Sequence, residues 1–466
     1  MRASLIPLCL LAGGLAQAQE RPNFVIIFLD DVGYGDLSSY GQTHYQTPHL
    51  DRLAAEGTRF TDFLVASPAC SPSRAALLTG CYPQRVSVPG VLGPASKSGL
   101  HPDEITIADI LKGQGYATAI VGKWHLGITP PLLPLNQGFD EYFGLPYSND
   151  MWPGLGKDWP PLMLYRGNEP VEEVKTLADQ DQLTRRYTEY AVDFIKRKKD
   201  GPFFLYFPHS MGHVPLGVSE PFKGKSGHTY YGDAMVEVDW SVGQIIKTLR
   251  EEGLDRSTLV LFTSDNGPWL PFGDHAGVSG PLREGKGTTF EGGMREPFIA
   301  WWPGRVPAGR VSDTFVNAMD FLPTIARLAG TTEPQDRIID GRDIAPVLFG
   351  ETDVSPHRYF FYYWPRQLQA VRVGDWKLHL PHQHRHQEGA PGVGGKSAGQ
   401  VQRQIGLSLF NLRRDIGETV NLVEEYPEIV ERLLRLAELA RRDLGDALTK
   451  TTGENVRPAG KVAPPN

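Results

Sequence analysis

The chain has 466 residues, 40% of them hydrophobic and 22% charged, and a formal net charge of −7. That length fits two domains, or one large domain with a small partner, each around an ordinary hydrophobic core. The acidic balance argues against nucleic acid as a partner, because phosphate neutralisation needs a clustered basic face.

Residues 1–18 read as an export signal. Arg2 gives a positive start, Ser4 to Leu15 a short apolar run, and Ala16-Gln17-Ala18 a small-x-small cleavage site. No segment approaches the roughly 18 apolar residues that a membrane span needs. A soluble, secreted or periplasmic protein is therefore expected. Cys9 lies inside the apolar run without the small residues that precede a lipidated cysteine, so a lipoprotein is not the favoured reading. Cys70 and Cys81 then remain, too few for a disulfide framework. A Cys70–Cys81 disulfide is the structural alternative.

From residue 23 strands and helices alternate. Asn23 to Leu29 is a continuous apolar, β-branched run, the pattern of a strand buried on both faces. Thr47-Pro48 opens a helix that carries Leu50, Leu53 and Ala54 and stops at Gly57. Thr106 to Lys112 reads as helix before a strand at Tyr116 to Val121. Thr184 to Lys198 is an amphipathic helix before a strand at Pro202 to Phe207. Tyr231 to Glu252 is a long helix before a strand at Thr258 to Thr263, and Pro297 to Trp302 is one more short strand. This order predicts an α/β fold: a mostly parallel sheet sandwiched by helices, with ligands at the carboxyl ends of its strands. Two strand ends carry metal-type residues, Asp30-Asp31 and Asp265-Asn266.

The pattern changes near residue 346. Strands are predicted at Arg358 to Trp364, Ala370 to Leu380 and Leu407 to Leu412. Gly389 to Gly399 reads as a mobile loop. Glu425 to Leu444 reads as an amphipathic helix with Ile429, Leu433, Leu436 and Leu439 on one stripe. The domains expected are a catalytic unit at 19–345, a small α+β unit with an antiparallel sheet at 346–450, and a frayed tail at 451–466.

The chemistry centres on Cys70. Cysteine is most often a small buried hydrophobe, and a Cys-x-Pro-x-Arg run arises by chance on the order of 0.01 times in such a chain. The longer run Cys70-Ser71-Pro72-Ser73-Arg74-Ala75-Ala76-Leu77-Leu78-Thr79-Gly80 resembles the maturation motif of type I sulfatases. Gly115 to Gly127, with Gly122-Lys123-Trp124-His125, resembles the second motif of that family. Lys286 to Pro297 is similar to the matching stretch of arylsulfatase A and N-acetylgalactosamine-6-sulfatase. The resemblance covers nearly the whole mature chain. It implies the alkaline-phosphatase-like sandwich and a sulfuric ester hydrolase whose Cys70 is oxidised to Cα-formylglycine by a maturation enzyme.

Asp30, Asp31, Asp265 and Asn266 offer only oxygen donors, which suit Ca²⁺ or Mg²⁺ and not zinc. The resemblance implies one Ca²⁺ at these four positions. It also implies that a hydroxyl of hydrated formylglycine attacks sulfur to give a covalent sulfated enzyme. The second hydroxyl then expels sulfate, an exit that serine lacks. Arg74 is implied to bond the formylglycine and the metal carboxylates, and Lys123 and Lys286 to hold sulfate. His125 is implied as the base of the elimination step. His213 is implied as the acid for the leaving alcohol, in preference to His209. Ser148 resembles a sulfate-contacting position.

A substrate rim is expected from loops 88–101, 148–170, 214–230 and 268–285, carrying Trp152, Trp159, His228, Trp269, His275 and Arg283. Sulfated carbohydrates are the leading substrate class, with aryl sulfates also fitting. The run His382 to His386 reads as a solvated loop or an arm reaching the cleft. Two other functions compete: a phosphate or phosphonate ester hydrolase of the same superfamily, and a non-catalytic binder of sulfated glycans. The Ser264-Asp265-Asn266-Gly267 strand end suits one metal and not a two-metal phosphatase.

Overall fold

A computed structural model describes residues 21–155 and 158–461. The export signal read at 1–18 lies outside the described residues. Among the described residues no helix is long and apolar enough to cross a membrane.

Asn23–Leu29 is buried at every position, and its alternation divides the core in two. Phe24, Ile26 and Phe28 face one apolar cluster, with the helices Cys70–Thr79, Ile107–Gly113 and Phe321–Leu328. Val25, Ile27 and Leu29 face a second, with Pro48–Glu56, Leu183–Lys198 and Tyr230–Glu251. A sheet with both faces covered is what the continuous apolar strand predicts.

That sheet has ten strands. Asn23–Leu29 runs parallel to Thr258–Ser264 on one side and to Phe203–Pro208 on the other. Ala117–Val121 and Glu141–Gly144 extend the parallel run. Antiparallel strands Phe298–Trp301 and Met163–Arg166 flank it. The mostly parallel helical sandwich expected from the sequence is the fold observed.

After it comes the smaller antiparallel sheet, with Phe360–Tyr363, Leu368–Val373, Trp376–His379 and Ser408–Asn411 as neighbours in that order. Helix Pro427–Leu444 covers it and buries Val430, Leu433, Ala437 and Ala440. Three expectations need correction here. The single strand expected at Ala370 to Leu380 is a hairpin that reverses at Gly374-Asp375, where Gly374 takes φ of 55°. The glycine-rich loop is docked: the Gly392 and Ala398 N–H groups each donate to Pro271 O at 3.0 Å, and Gly394 N–H donates to Asp274 Oδ1 at 2.8 Å. The tail is pinned through Lys461, not frayed. Gly460–Lys461 pairs with Ser98–Gly99, and Arg457 grips the buried Glu104 carboxylate at 2.7 and 2.8 Å. A buried carboxylate needs a cation, and the tail supplies it.

Candidate active site

Parallel pairing sets the site. Leu29 and Ser264 are register partners at the ends of their strands. Asp265 N–H donates to Leu29 O at 3.0 Å, and Asp31 N–H to Asp265 Oδ1 at 3.2 Å. Asp30-Asp31 and Asp265-Asn266 therefore leave the sheet together. The next strand ends at Pro208 and leads to His213; the one beyond leads to Lys123. Lys123 N–H donates to Pro208 O at 2.7 Å. Gly122 makes this approach possible: at φ of 127°, a Cβ would lie 1.8 Å from Pro208 O. Asp31 and His125, neither of them glycine, also hold positive φ, 59° and 62°. Such strained positions gather at functional sites.

Cys70 is the first residue of its helix and is buried, with Sγ 3.5 Å from Asp30 Oδ1. The donor atoms of Asp30, Asp31, Cys70 and His213 all lie within 4.8 Å of one another. Burial pushes the Cys70 thiol far up, beyond what Lys123 and Lys286 offset. The encoded side chain stays a neutral thiol and is a poor nucleophile. One turn later Arg74, fully buried, bonds Asp265 Oδ2 through Nε and Nη2 at 3.1 and 2.8 Å and Lys123 O at 2.9 Å.

Two lysines face these carboxylates. Lys123 Nζ is 2.6 Å from Asp30 Oδ2 and 3.0 Å from Ser148 Oγ. Lys286 Nζ is 2.7 Å from Asp31 Oδ2 and 4.4 Å from the centre of the Trp269 ring. Burial opposes ionisation of Asp30, but Lys123, His213 and Arg74 together hold its carboxyl well below the usual range. Burial, reinforced by the charge of Asp30, pushes Asp265 up to about 7. Asn266 donates to Asp31 Oδ1 at 2.7 Å, while its own buried Oδ1 has no partner among the described residues. An orphaned amide oxygen beside three carboxylates fits a hard cation. Asp30, Asp31 and Asp265 are matched in number by Arg74, Lys123 and Lys286, so a bound divalent cation would turn the site net positive and attractive to an anionic ester.

Two histidines complete the ring. His213 Nε2 lies 3.5 Å from Asp31 Oδ2, and Nδ1 donates to Val214 O at 2.5 Å. His125 Nε2 donates to Leu92 O at 2.6 Å, which leaves Nδ1 as its basic nitrogen. That Nδ1 is buried without a partner. Burial, then Lys123 and Arg74, hold the His125 ring well below its usual range, so it stays neutral. His209 lies elsewhere, 3.3 Å from Ser241 Oγ and against Phe207. All eleven residues singled out from sequence thus sit in one linked cluster around Cys70.

The rim is only partly as expected. Trp269 stands beside His213, ring centres 5.4 Å apart. His228 stacks on His44, His275 lies tilted against Tyr230 with ring centres 5.4 Å apart, and Trp152 is buried. Arg283 packs 4.1 Å over Phe290 and donates to Glu418 O, at the junction with the smaller sheet. His382–His386 is not a solvated loop, and its end lies against the loop that carries Lys286: His386 Nδ1 bonds Glu284 Oε1 at 2.7 Å and Arg385 stands beside Gly287. It is a strand paired with Val401–Ile405, and His384 packs on Phe290. Sequence reasoning missed Asp150, whose carboxylate feels His213, Lys123 and Lys286. Its place two residues after Ser148 was the available signal.

The model of the family described as sulfatase matches residues 22–331, and that described as the C-terminal region of aryl-sulfatase matches 355–463. The chain is 40% identical to arylsulfatase A of Bos taurus, covering 94% of this chain and 91% of the relative. It is also 40% identical to N-acetylgalactosamine-6-sulfatase of Homo sapiens, covering 92% and 87%. Among solved structures, the PsFucS1 sulfatase of Pseudoalteromonas sp. superposes with a TM-score of 0.82 at 29% identity, covering 90% of each chain. Members of this family use a formylglycine and a metal ion, and this structure holds Cys70 in a buried cluster with Asp30, Asp31 and His213. The chain belongs to the sulfatase family and is a sulfuric ester hydrolase.

Proposed function

We propose that this enzyme removes sulfate from sulfated carbohydrates, using Ca²⁺ held by Asp30, Asp31, Asp265 and Asn266 and a formylglycine made from Cys70 by a maturation enzyme. The observation that carries this reading is Cys70 itself. It sits on Asp30 Oδ1 between Lys123 and Lys286, yet burial keeps its thiol protonated. A residue so placed and so unreactive makes sense as a precursor.

Hydrated formylglycine would supply one hydroxyl to take up the sulfuryl group and a second whose deprotonation expels sulfate. Lys123 and Lys286 hold the sulfate oxygens and balance the charge that develops as the ester bond breaks. With Nδ1–H committed to Val214 O, His213 can serve the leaving alcohol as an acid only in its imidazolium form, whose Nε2–H lies 3.5 Å from Asp31 Oδ2 and is opposed by burial. His125 Nδ1 takes the proton that releases sulfate. Arg74 opposes the rise in the Asp265 pKa and fixes the Lys123 loop through its carbonyl. Ser148 orients Lys123. A divalent cation held by Asp30, Asp31, Asp265 and Asn266 would supply Lewis acidity to the site. Sulfated sugars are favoured because N-acetylgalactosamine-6-sulfatases are among the 40%-identical relatives. The export signal read at 1–18 would place the enzyme outside the cytoplasm.

Two measurements test this. Mass spectrometry of the Cys70 peptide from the native cell must show the aldehyde; an unmodified thiol there defeats the mechanism. Turnover of matched sulfate and phosphate esters of one sugar must favour sulfate. Faster phosphate or phosphonate turnover would move the enzyme to the competing class.

A further inference from the structure

Asp150 is a carboxylate beside the site that neither holds Arg74, Lys123 or Lys286 nor belongs to the converging donor group of Asp30, Asp31, Cys70 and His213. It sits on a turn closed by Met151 N–H donating to Ser148 O at 3.1 Å. Three ties hold that turn against the catalytic residues. Ser148 Oγ accepts from Lys123 Nζ. Asn149 Nδ2 donates at 2.9 Å to the carbonyl of Pro215, two residues beyond His213. A second Asn149 bond, 3.1 Å to Gln180 Oε1, anchors it from behind. Asp150 is thereby held beside His213 and Lys123. Ser148 supplies one side-chain hydrogen bond to it, but the buried Oδ1 has no partner among the described residues.

A buried carboxylate oxygen without a donor carries a desolvation cost that the free enzyme leaves uncompensated. Burial alone would keep Asp150 neutral, but His213, Ser148 and the lysines hold it below its usual range, so it is ionised and can only accept. It repels the sulfate oxygens and needs a donor from elsewhere in the substrate. An aryl ring offers none near the ester oxygen, whereas a sugar does: the hydroxyl of the adjacent carbon for a ring-carbon sulfate, the C4 hydroxyl for a 6-sulfate, whose adjacent carbon carries the ring oxygen.

We propose that Asp150 is a specificity-determining residue that accepts a hydrogen bond from a sugar hydroxyl next to the sulfate ester. This rests on the carbohydrate reading above and sharpens it: the substrate is a sulfated sugar with a free neighbouring hydroxyl. Sites built around such a bond reject analogues that lack it, because the buried partner is left unpaired.

The test compares wild type with Asp150→Ala and Asp150→Asn. The substrates are galactose 6-sulfate, N-acetylgalactosamine 6-sulfate and fucose sulfates, each beside its analogue lacking the hydroxyl nearest the ester (4-deoxy for the 6-sulfates, deoxy at the adjacent carbon for the fucose sulfates), and 4-nitrophenyl sulfate. The readout is the ratio of kcat/KM on the best sugar to that on 4-nitrophenyl sulfate. That ratio should fall about 10- to 100-fold in Asp150→Ala and less in Asp150→Asn, the amide keeping an acceptor. Deoxygenation should cost wild type a similar factor and cost Asp150→Ala little. An unchanged ratio, even with both rates lowered, would overturn the proposal and make Asp150 a positioning residue for His213. Wild type that cleaves 4-nitrophenyl sulfate but none of the sugars would overturn the carbohydrate reading itself, a different result. Thermal melting of both variants checks folding, and Asp150→Asn keeps the shape if the alanine variant fails.

Discussion

Leu29 and Ser264 are partners at the ends of two adjacent parallel strands, and the residues that follow them, Asp30-Asp31 and Asp265-Asn266, build the acidic side of the site. The four metal-type residues come from positions more than 230 apart in sequence, as the Asp31–Asp265 and Asp31–Asn266 contacts show. Parallel pairing makes them neighbours without any loop having to find the others.

Asp265 is the residue on which both stability and chemistry depend. Asp265→Ala leaves the fully buried Arg74 with only Asp30 at 3.5 Å as a carboxylate partner. Removing one partner of a buried pair costs about 3–5 kcal/mol. The expected result is a lowered melting temperature, loss of bound metal by elemental analysis and loss of turnover, all in one variant.

Lys286 should separate binding from folding. Its side chain is 10% exposed and rests between Asp31 and the Trp269 ring. Lys286→Ala should lower kcat/KM about 10²–10³-fold, the usual loss of one charge-stabilising group. The melting temperature should fall less than in Asp265→Ala, because Asp31 keeps the Asn266 hydrogen bond and His213 at 3.5 Å when the lysine is gone.

His125 should show itself in the second half of the reaction. His125→Ala should slow turnover about 10²–10⁴-fold and leave sulfate retained on the protein after one turnover, visible by intact mass. In wild type, burial, Lys123 and Arg74 all lower the pKa of this ring from its ordinary 6.5. A lowered pKa keeps the basic form present at lower pH. The acid limb of kcat assigned to this group should therefore fall below pH 6.5, which a pH–rate profile with a sulfated substrate checks.

Arg457 tests whether the end of the chain is structural. It bonds both oxygens of Glu104, which has otherwise only Arg337 at 3.9 Å. Arg457→Ala should destabilise by about 1–3 kcal/mol, the cost of an unsatisfied buried acceptor. Denaturant unfolding measures this, and KM should be unaffected.

Much of this was legible in the chain because the patterns are local. Asn23 to Leu29 reads as a doubly buried strand, and its end announces Asp30-Asp31 at once. The Cys70, Lys123 and Lys286 stretches are contiguous runs, so their place in the site could be inferred from resemblance. Longer-range features were not legible. No periodicity tells that Gly374-Asp375 breaks a predicted strand into a hairpin. Nor does glycine content reveal that Gly392 and Ala398 dock on Pro271, or that Arg457 finds Glu104, 353 residues away. Arg283 looked like rim and is instead a junction contact, since nothing local says which side of a loop faces the cleft.

The sequence by itself determined most of the elements, the doubly covered sheet and which residues were candidates for the site, because side-chain chemistry, short-range pattern and contiguous motifs suffice for those. Tertiary structure alone decided the electrostatics. Burial sets the neutral thiol of Cys70, the basic Nδ1 of His125, the orphaned oxygen of Asn266 and the unpaired oxygen of Asp150. Each depends on which atoms are kept from water and on what stands opposite, and both are properties of packing between distant segments.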